Sequence, residues 1–106
     1  MALINSVNNI YDVKPYATVN RNGSTSATPN TWTQVAAITA ASSHVSITNP
    51  IGSIATLKIG FGAVGAEFEV HALLPGKSMR IGSRDRVSAR CTIASQLYTA
   101  SEGVYL

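Results

Sequence analysis

The chain has 106 residues, which is the length of one domain with one hydrophobic core and leaves no room for a deep enclosed site as well. Only 12% of its residues are charged, against ~25% in ordinary globular proteins, and a formal net charge of +3 does not by itself indicate nucleic-acid binding. The single cysteine, Cys91, excludes an intrachain disulfide, and no run approaches the ~18 apolar residues of a membrane span.

The sparsely charged surface has two explanations. Neighbouring subunits cover much of it in an assembly, or the chain is simply a neutral β protein in which small polar residues take the place of charged ones. The first residues show no basic region followed by an apolar run, which is the pattern of a secretion signal. We therefore expect the protein to fold in a cytoplasm, with no membrane partner.

Residues 1–30 differ in composition from the rest of the chain, being rich in Asn, Ser and Thr with few large apolar residues. Their one periodic stretch, residues 10–19, is interrupted by Pro15, which cannot donate a ladder hydrogen bond and suits an edge strand or an extended arm. Residues 21–26 have the composition of a turn. Such a segment buries too little apolar area to become ordered alone. We predict an extended N-terminal arm over residues 1–30, held by a partner chain, and a β domain over residues 31–106.

From residue 31 onward, short segments with alternating apolar residues follow one another between Gly and Pro turns. Alternation places one set of side chains on the face of a strand that packs into a core. Residues 67–71 are predicted as a strand with Glu67 and Glu69 facing outward, and residues 96–106 as a last strand. The other predicted inward residues, in chain order, are Trp32, Ile38, Val45, Ile47, Leu57, Ile59, Phe61, Met79, Ile81, Val87, Ala89, Cys91 and Ile93.

Tight turns separate these predicted strands. Pro75 and Gly76, for example, are the central pair favoured in a type II turn. Short strands at this spacing predict an all-β fold, a small antiparallel β-sandwich or jelly roll of seven to eight strands.

Residues 60–65 match the pattern G-x-G-x-x-G of dinucleotide-binding proteins, and Asp85 lies 20 residues beyond Gly65. That pattern needs a helix after it and a βαβ unit around it. The alternation of residues 67–71 favours a strand instead, and Asp85 stands in a turn-like stretch. We therefore interpret residues 60–65 as a Gly-rich connection between two strands, with dinucleotide binding as the alternative.

The residues that could carry catalysis or hold a metal do not converge in the sequence. His44 and His71 alternate onto the outward faces of their strands, and Cys91 falls with the apolar set, whereas a zinc site needs three or four ligands. Glu67 and Glu69 lie about 7 Å apart on one strand face, but a glycosidase pair needs a cleft between its carboxylates. We predict no enzyme activity, no metal and no cofactor.

The most informative polar feature is a set of four arginines within 11 residues: Arg80, Arg84, Arg86 and Arg90. Arg86 and Arg90 share the outward face of one predicted strand, and the set predicts a basic stripe with bidentate donors. Its interpretations are a solvated strand face, a docking surface for an acidic protein, or a nucleic-acid contact, the last without interleaved exposed aromatic residues to support it. The candidate partner-binding residues are these arginines together with Tyr11 and Tyr16 of the arm.

Residues 45–50 (VSITNP) have the pattern of an I-x-N strand, residues 57–62 (LKIGFG) that of an L-x-I/L-G-F/Y-G strand, and residues 73–78 (LLPGKS) that of an L-x-P-G-x-S turn. These three short motifs resemble those of small β-sandwich proteins in the virions of tailed bacteriophages, such as capsid decoration or cement proteins and head fibres. The similarity covers about residues 43–106 and none of the first 30. Since the motifs are turns and inward apolar positions, the resemblance transfers a fold and no functional residue.

The resemblance implies a structural role in a virion assembled in the host cytoplasm, often as a trimer. We expect a capsid decoration or cement protein that binds and stabilises the head lattice, with the major capsid protein or other virion proteins as partners and no nucleic acid. The alternatives are a tail, fibre or baseplate component, and a carbohydrate-binding sandwich in which Trp32, Tyr98 and Tyr105 stack on a glycan.

Overall fold

The computed structural model describes residues 15–37, 42–82 and 86–106, and over these ranges the chain forms nine strands and no helix. The all-β prediction is confirmed, with one strand more than the seven to eight predicted. In chain order, the strands are β1 (Tyr16–Asn20), β2 (Gly23–Ser24), β3 (Thr33–Ala37), β4 (Ser42–Thr48), β5 (Leu57–Phe61), β6 (Phe68–Leu73), β7 (Ser78–Ile81), β8 (Arg86–Arg90) and β9 (Leu97–Tyr105).

The strands form two antiparallel sheets, as expected for a small β-sandwich. One sheet has the order β1-β9-β4-β7, and the two-residue β2 also pairs with β9. The other has the order β3-β8-β5-β6. The central strands β4, β5, β8 and β9 each have neighbours on both sides, and they supply most of the core.

Seven of the twelve residues of the core cluster in the described structure are alternating apolar residues that the sequence singles out. Side chains from both sheets interdigitate there, which is how a sandwich buries the two inner faces. Phe61 and Met79 are partly buried against this core, and Ile93 is half-exposed in the loop after β8. The predicted inward residues that are buried are Val45, Ile47, Leu57, Ile59, Ile81, Val87, Ala89 and Cys91.

Trp32 was predicted in the core, and this is wrong. Its ring lies on the outer face of the four-stranded sheet, where it covers the backbone of Gly60. Val35 and Ala36 enter the core instead, because a bulge between Gln34 and Ala36 shifts the register of β3 on β8. The other core candidate of this segment, Ile38, lies outside the described residues.

Strand β6 departs most from simple alternation. Phe68 and Val70, which the outward placement of the glutamates assigns to the core, are both exposed, and Leu73 is the buried residue of this strand. The reason is topological, since β6 is the edge of its sheet and a bulge opposite Ile59 and Gly60 turns its side chains.

The first sheet begins before residue 31, the predicted domain boundary. Strands β1 and β2, which belong to the predicted arm, pair with β9 and are part of the sandwich. Backbone hydrogen bonds from Arg21 to Ala100 and from Thr25 to Gln96 continue this attachment. Residues 1–14, the rest of the arm, lie outside the described residues.

Two predicted turns have the expected backbone. Gly76 has a φ of 81°, and the Lys77 amide donates to the Leu74 carbonyl, as in a type II turn. In the Gly-rich stretch, Gly62 has a φ of 112°, and a Cβ there would lie 2.7 Å from the Ala66 carbonyl oxygen. The predicted Gly-rich connection between two strands is thus present but begins later, since Gly60 and Phe61 belong to β5 and residues 62–67 connect β5 to β6, with no helix after them in the described structure.

Candidate docking surfaces

The described arginines do not form the single stripe that the sequence predicts. Arg80 lies on β7, on the outer face of the five-stranded sheet, whereas Arg86 and Arg90 lie on β8, on the outer face of the other sheet. Arg84 is outside the described residues. The arginines are therefore divided between opposite sides of the sandwich. Alternation along the chain predicts which side chains face outward, but it does not predict which sheet a strand joins.

Arg86 is held by partners within the chain. Its Nη1 lies 3.0 Å from Glu67 Oε2, and its Nε donates to Gln34 Oε1 at 2.9 Å. The pKa of the Glu67 carboxyl lies below its ordinary value. The largest cause is a hydrogen bond from the backbone amide of Glu67 itself, and hydrogen bonds from the Arg86 side chain and the Gly65 amide act in the same direction, whereas burial raises the pKa. The guanidinium and the carboxylate therefore satisfy each other.

Arg90 is partnered in a similar way. Its guanidinium lies 4.4 Å from the ring centroid of Trp32, and its Nη2 lies 3.7 Å from Glu69 Oε1. Lys58 Nζ approaches the same carboxylate oxygen at 3.4 Å. The outer face of the four-stranded sheet thus carries alternating charges that neutralise one another, which favours a solvated face over a basic docking surface.

Arg80 belongs to a different cluster, which also contains Tyr16. Arg80 Nη2 lies 3.0 Å from His44 Nε2, and the His44 ring meets the Tyr16 ring edge-on at a centroid distance of 5.0 Å. Both rings lie over Gly103, where a Cβ would approach His44 Cε1 to 2.6 Å. Burial first and the Arg80 charge second lower the pKa of His44. Two of the predicted partner-binding residues are therefore brought together; Tyr11 lies outside the described residues.

A second surface was missed by the sequence analysis. Four large aliphatic side chains are exposed at one end of the sandwich, and we call them the apolar end: Ile51 (90% exposed), Ile54 (87%), Leu74 (59%) and Leu97 (66%). Ile51 and Ile54 lie in the connection between β4 and β5, Leu74 lies in that between β6 and β7, and Leu97 is the first residue of β9. The sequence offers one indication of this surface. Ile51 and Ile54 lie in a turn-like stretch with Asn, Pro, Gly and Ser, where no alternating pattern assigns them to a core.

Asn49 fixes the loops of the apolar end relative to one another. Its side-chain amide donates to the carbonyls of Ala55 and Leu73 at 2.9 and 2.8 Å, and its backbone carbonyl accepts from Gly76. Asn49 is fully buried, so these bonds are shielded from water. The conformation of the exposed loops is thus determined by a buried residue of the I-x-N motif.

The start of β9 is fixed from the other side. The backbone amide of Gln96 donates to Thr25 Oγ1 at 2.9 Å, and the backbone amide of Thr25 donates to the backbone carbonyl of Gln96 at 2.8 Å. Both residues are buried. The four exposed aliphatic side chains are therefore presented by a rigid framework.

The aromatic residues proposed to stack on a glycan are not together. Tyr98 is buried, and its burial raises the pKa of its hydroxyl, while Trp32 lies against Arg90 on the opposite sheet. Tyr105 is half-buried near the far end of β9. No group of three or more His, Cys, Asp or Glu side chains able to hold a metal occurs among the described residues.

Comparisons with protein-family models, with curated proteins and with solved structures give no match. Within the described part of the chain, no helix is long and apolar enough to cross a membrane. The assignment of a function therefore rests on the surfaces described above.

Proposed function

We propose that this chain is a structural virion protein of a tailed bacteriophage, a capsid decoration or cement protein without enzymatic activity. The observation that carries the proposal is the apolar end, four exposed aliphatic side chains on a rigid framework. The resemblance of the three sandwich motifs to virion proteins supplies the setting. The apolar end is then the surface that becomes buried when copies assemble on the capsid shell.

The energetics of the apolar end suit assembly. Soluble monomers carry single exposed aliphatic residues without consequence, but exposed aliphatic residues that adjoin one another mark interaction sites, and Ile54 and Leu97 line one depression together. Removing one Leu or Ile side chain from water contributes about 1.5–3 kcal/mol. Two such side chains therefore change a binding constant by at least about a hundredfold, since 1.4 kcal/mol is a factor of ten. A lattice with many identical sites multiplies the effect.

The test is an add-back experiment on particles. Purified virions are depleted of the protein, recombinant protein is added, and bound copies are counted by quantitative mass spectrometry. We expect saturable binding, reduced at least about a hundredfold in affinity by the double substitution Ile54→Ser and Leu97→Ser. The matched control is Val64→Ser, because Val64 is 78% exposed but lies in the β5–β6 connection.

Three outcomes contradict the proposal. The protein is absent from purified virions, or the double variant binds as well as the wild type, or the copies are located on the tail by electron microscopy of labelled particles. The last outcome would instead support the tail, fibre or baseplate alternative.

A further inference from the structure

We propose that residues 1–14 of one copy cover the apolar end of a neighbouring copy. The inference names the partner of the surface used above and rests on the proposed function for its setting, a particle on which many copies lie side by side. The contact itself is a property of the protein and is measurable without a particle.

The apolar end offers a place for an extended segment. Two adjoining depressions share Pro50 and Leu97 as their common wall. One continues toward Gly23 and Thr99, and the other toward Ile54. No charged side chain lines either of them. The groove therefore suits a short, uncharged stretch of chain with apolar side chains at intervals.

Residues 1–14 have this chemistry. They contain one acid and one base, Asp12 and Lys14, both at the end next to Pro15. The eleven residues before Asp12 are uncharged, contain no Gly or Pro, and include the apolar side chains Leu3, Ile4, Val7, Ile10 and Tyr11. Their burial in the groove would remove apolar surface on both sides from water without burying a charge.

The direction of β1 favours a neighbouring copy over the same chain. Tyr16 pairs with Tyr105 and Ser24 with Leu97, so β1 runs toward the apolar end and the residues before it start from the opposite end. The two ends of β9 are about 27 Å apart at the rise of an antiparallel strand. To reach the apolar end of its own chain, the segment would have to reverse direction before β1 and run back along the sandwich.

The length of the segment is sufficient to reach a neighbour. Fourteen extended residues span at most about 50 Å. This exceeds the ~27 Å length of β9, so reach does not limit the contact, and the direction of β1 is what favours a neighbouring copy over the same chain. The contact is heterologous, with the segment of one copy on the groove of the next, and such contacts close into rings when the rotation permits. A trimer is the smallest ring of this kind, because a closed pair of copies has twofold symmetry and is therefore isologous.

Cysteine cross-linking tests the contact. Leu3→Cys and Leu97→Cys variants carrying different affinity tags are mixed under conditions that allow exchange and are then oxidised. The native Cys91 is buried and serves as a background in both chains. We expect a disulfide-linked dimer containing both tags, at a yield at least tenfold above that from Leu3→Cys mixed with the exposed control Val64→Cys.

Sedimentation velocity provides the second readout. Wild-type protein is expected to sediment as an oligomer, and the full-length variant with Leu3→Asp and Ile4→Asp as a monomer, while Val64→Asp leaves the oligomer intact. Equal cross-linking to positions 64 and 97 overturns the inference, as does a wild-type monomer at tens of micromolar concentration. A cross-link within one chain of a Leu3→Cys/Leu97→Cys double variant overturns the neighbouring-copy arrangement.

These outcomes are separable from those of the proposed function. A mixed-tag disulfide with no protein in purified virions would support the contact and remove the virion role. Saturable binding to depleted particles with no mixed-tag disulfide would keep the virion role and assign the apolar end to a shell protein.

Discussion

Arg80 fixes the protonation state of His44. Arg80 Nη2 lies 3.0 Å from His44 Nε2, and a guanidinium has only donors, so Nε2 is the unprotonated acceptor. The proton of the neutral ring is then on Nδ1, which donates to Ser43 Oγ at 3.1 Å. The groups facing the ring from neighbouring strands are Arg80 on β7, Tyr16 on β1 and Gly103 on β9. Protonation at Nε2 would place two cations in contact and end the hydrogen bond.

This arrangement predicts a stability that depends on pH. Burial and then Arg80 lower the pKa of His44 in the folded protein from its ordinary 6.5. The unfolded chain therefore binds the proton more readily, so the stabilisation is fully present above pH 6.5 and is lost as the pH falls below it. Urea unfolding between pH 7.5 and pH 5 measures this change. His44→Gln should flatten the profile, and a variant profile as steep as that of the wild type would contradict the expectation.

The Trp32 ring on Gly60 predicts that a single methyl group is harmful there. A Cβ at position 60 would lie 2.6 Å from Trp32 Cη2 and 2.9 Å from the Phe68 carbonyl oxygen. Gly60→Ala should displace the indole from Arg90 and lower the free energy of unfolding by about 1–3 kcal/mol. Urea unfolding followed by tryptophan fluorescence reports both effects. Gly52→Ala is the control, because nothing lies within 4 Å of its Cβ position; equal stability of the two variants would contradict the expectation.

Asn49 is predicted to be the most sensitive polar residue of the I-x-N motif. Asn49→Ala removes two hydrogen bonds and leaves the carbonyls of Ala55 and Leu73 without this donor. We expect a loss of about 2–4 kcal/mol in the free energy of unfolding, since each unsatisfied buried group costs about 1–3 kcal/mol. Amide exchange should accelerate in residues 50–56 first. Asn20→Ala, whose side chain makes an exposed hydrogen bond to Asn22, should cost about 1 kcal/mol or less.

The ion pair between Arg21 and Glu102 predicts that removing the arginine lowers the free energy of unfolding more than neutralising the glutamate does. Arg21 approaches Glu102 Oε1 through Nε at 2.9 Å and through Nη2 at 2.8 Å, and the other carboxylate oxygen accepts from Ser42. The Glu102 side chain is buried, whereas that of Arg21 is partly exposed. Arg21→Met strands a buried carboxylate and should cost about 3 kcal/mol at neutral pH, more than Glu102→Gln. A double-mutant cycle measures the coupling, and equal losses in the single variants would refute the asymmetry.

Local pattern predicts the fold class and most of the core because burial of one strand face leaves an alternating trace. Val45, Ile47, Leu57 and Ile59 are examples, and all are fully buried. Turn chemistry is equally local, which is why the turn at Gly76 is predictable from two residues.

Features that depend on which strands are neighbours are not predictable in this way. Phe68 and Val70 alternate like core residues, and only the edge position of β6 exposes them. Arg80 and Arg86 are close in sequence but lie in different sheets. The apolar end brings together loops that are distant in the chain, and Ile54 and Leu97 become neighbours only through the complete topology.

The pairing of β1 with β9 also has a consequence for biosynthesis. Arg21, directly after β1, and Glu102 of β9 are in contact although they are 81 residues apart, so β1 leaves the ribosome long before its partner strand exists. Closing such a long loop is slow compared with local hairpin formation. Until β9 has paired with β4, β1 has no neighbouring strand to pair with. The five-stranded sheet is therefore completed only after β9 has been made, and β1 is among the last strands to find its place in it.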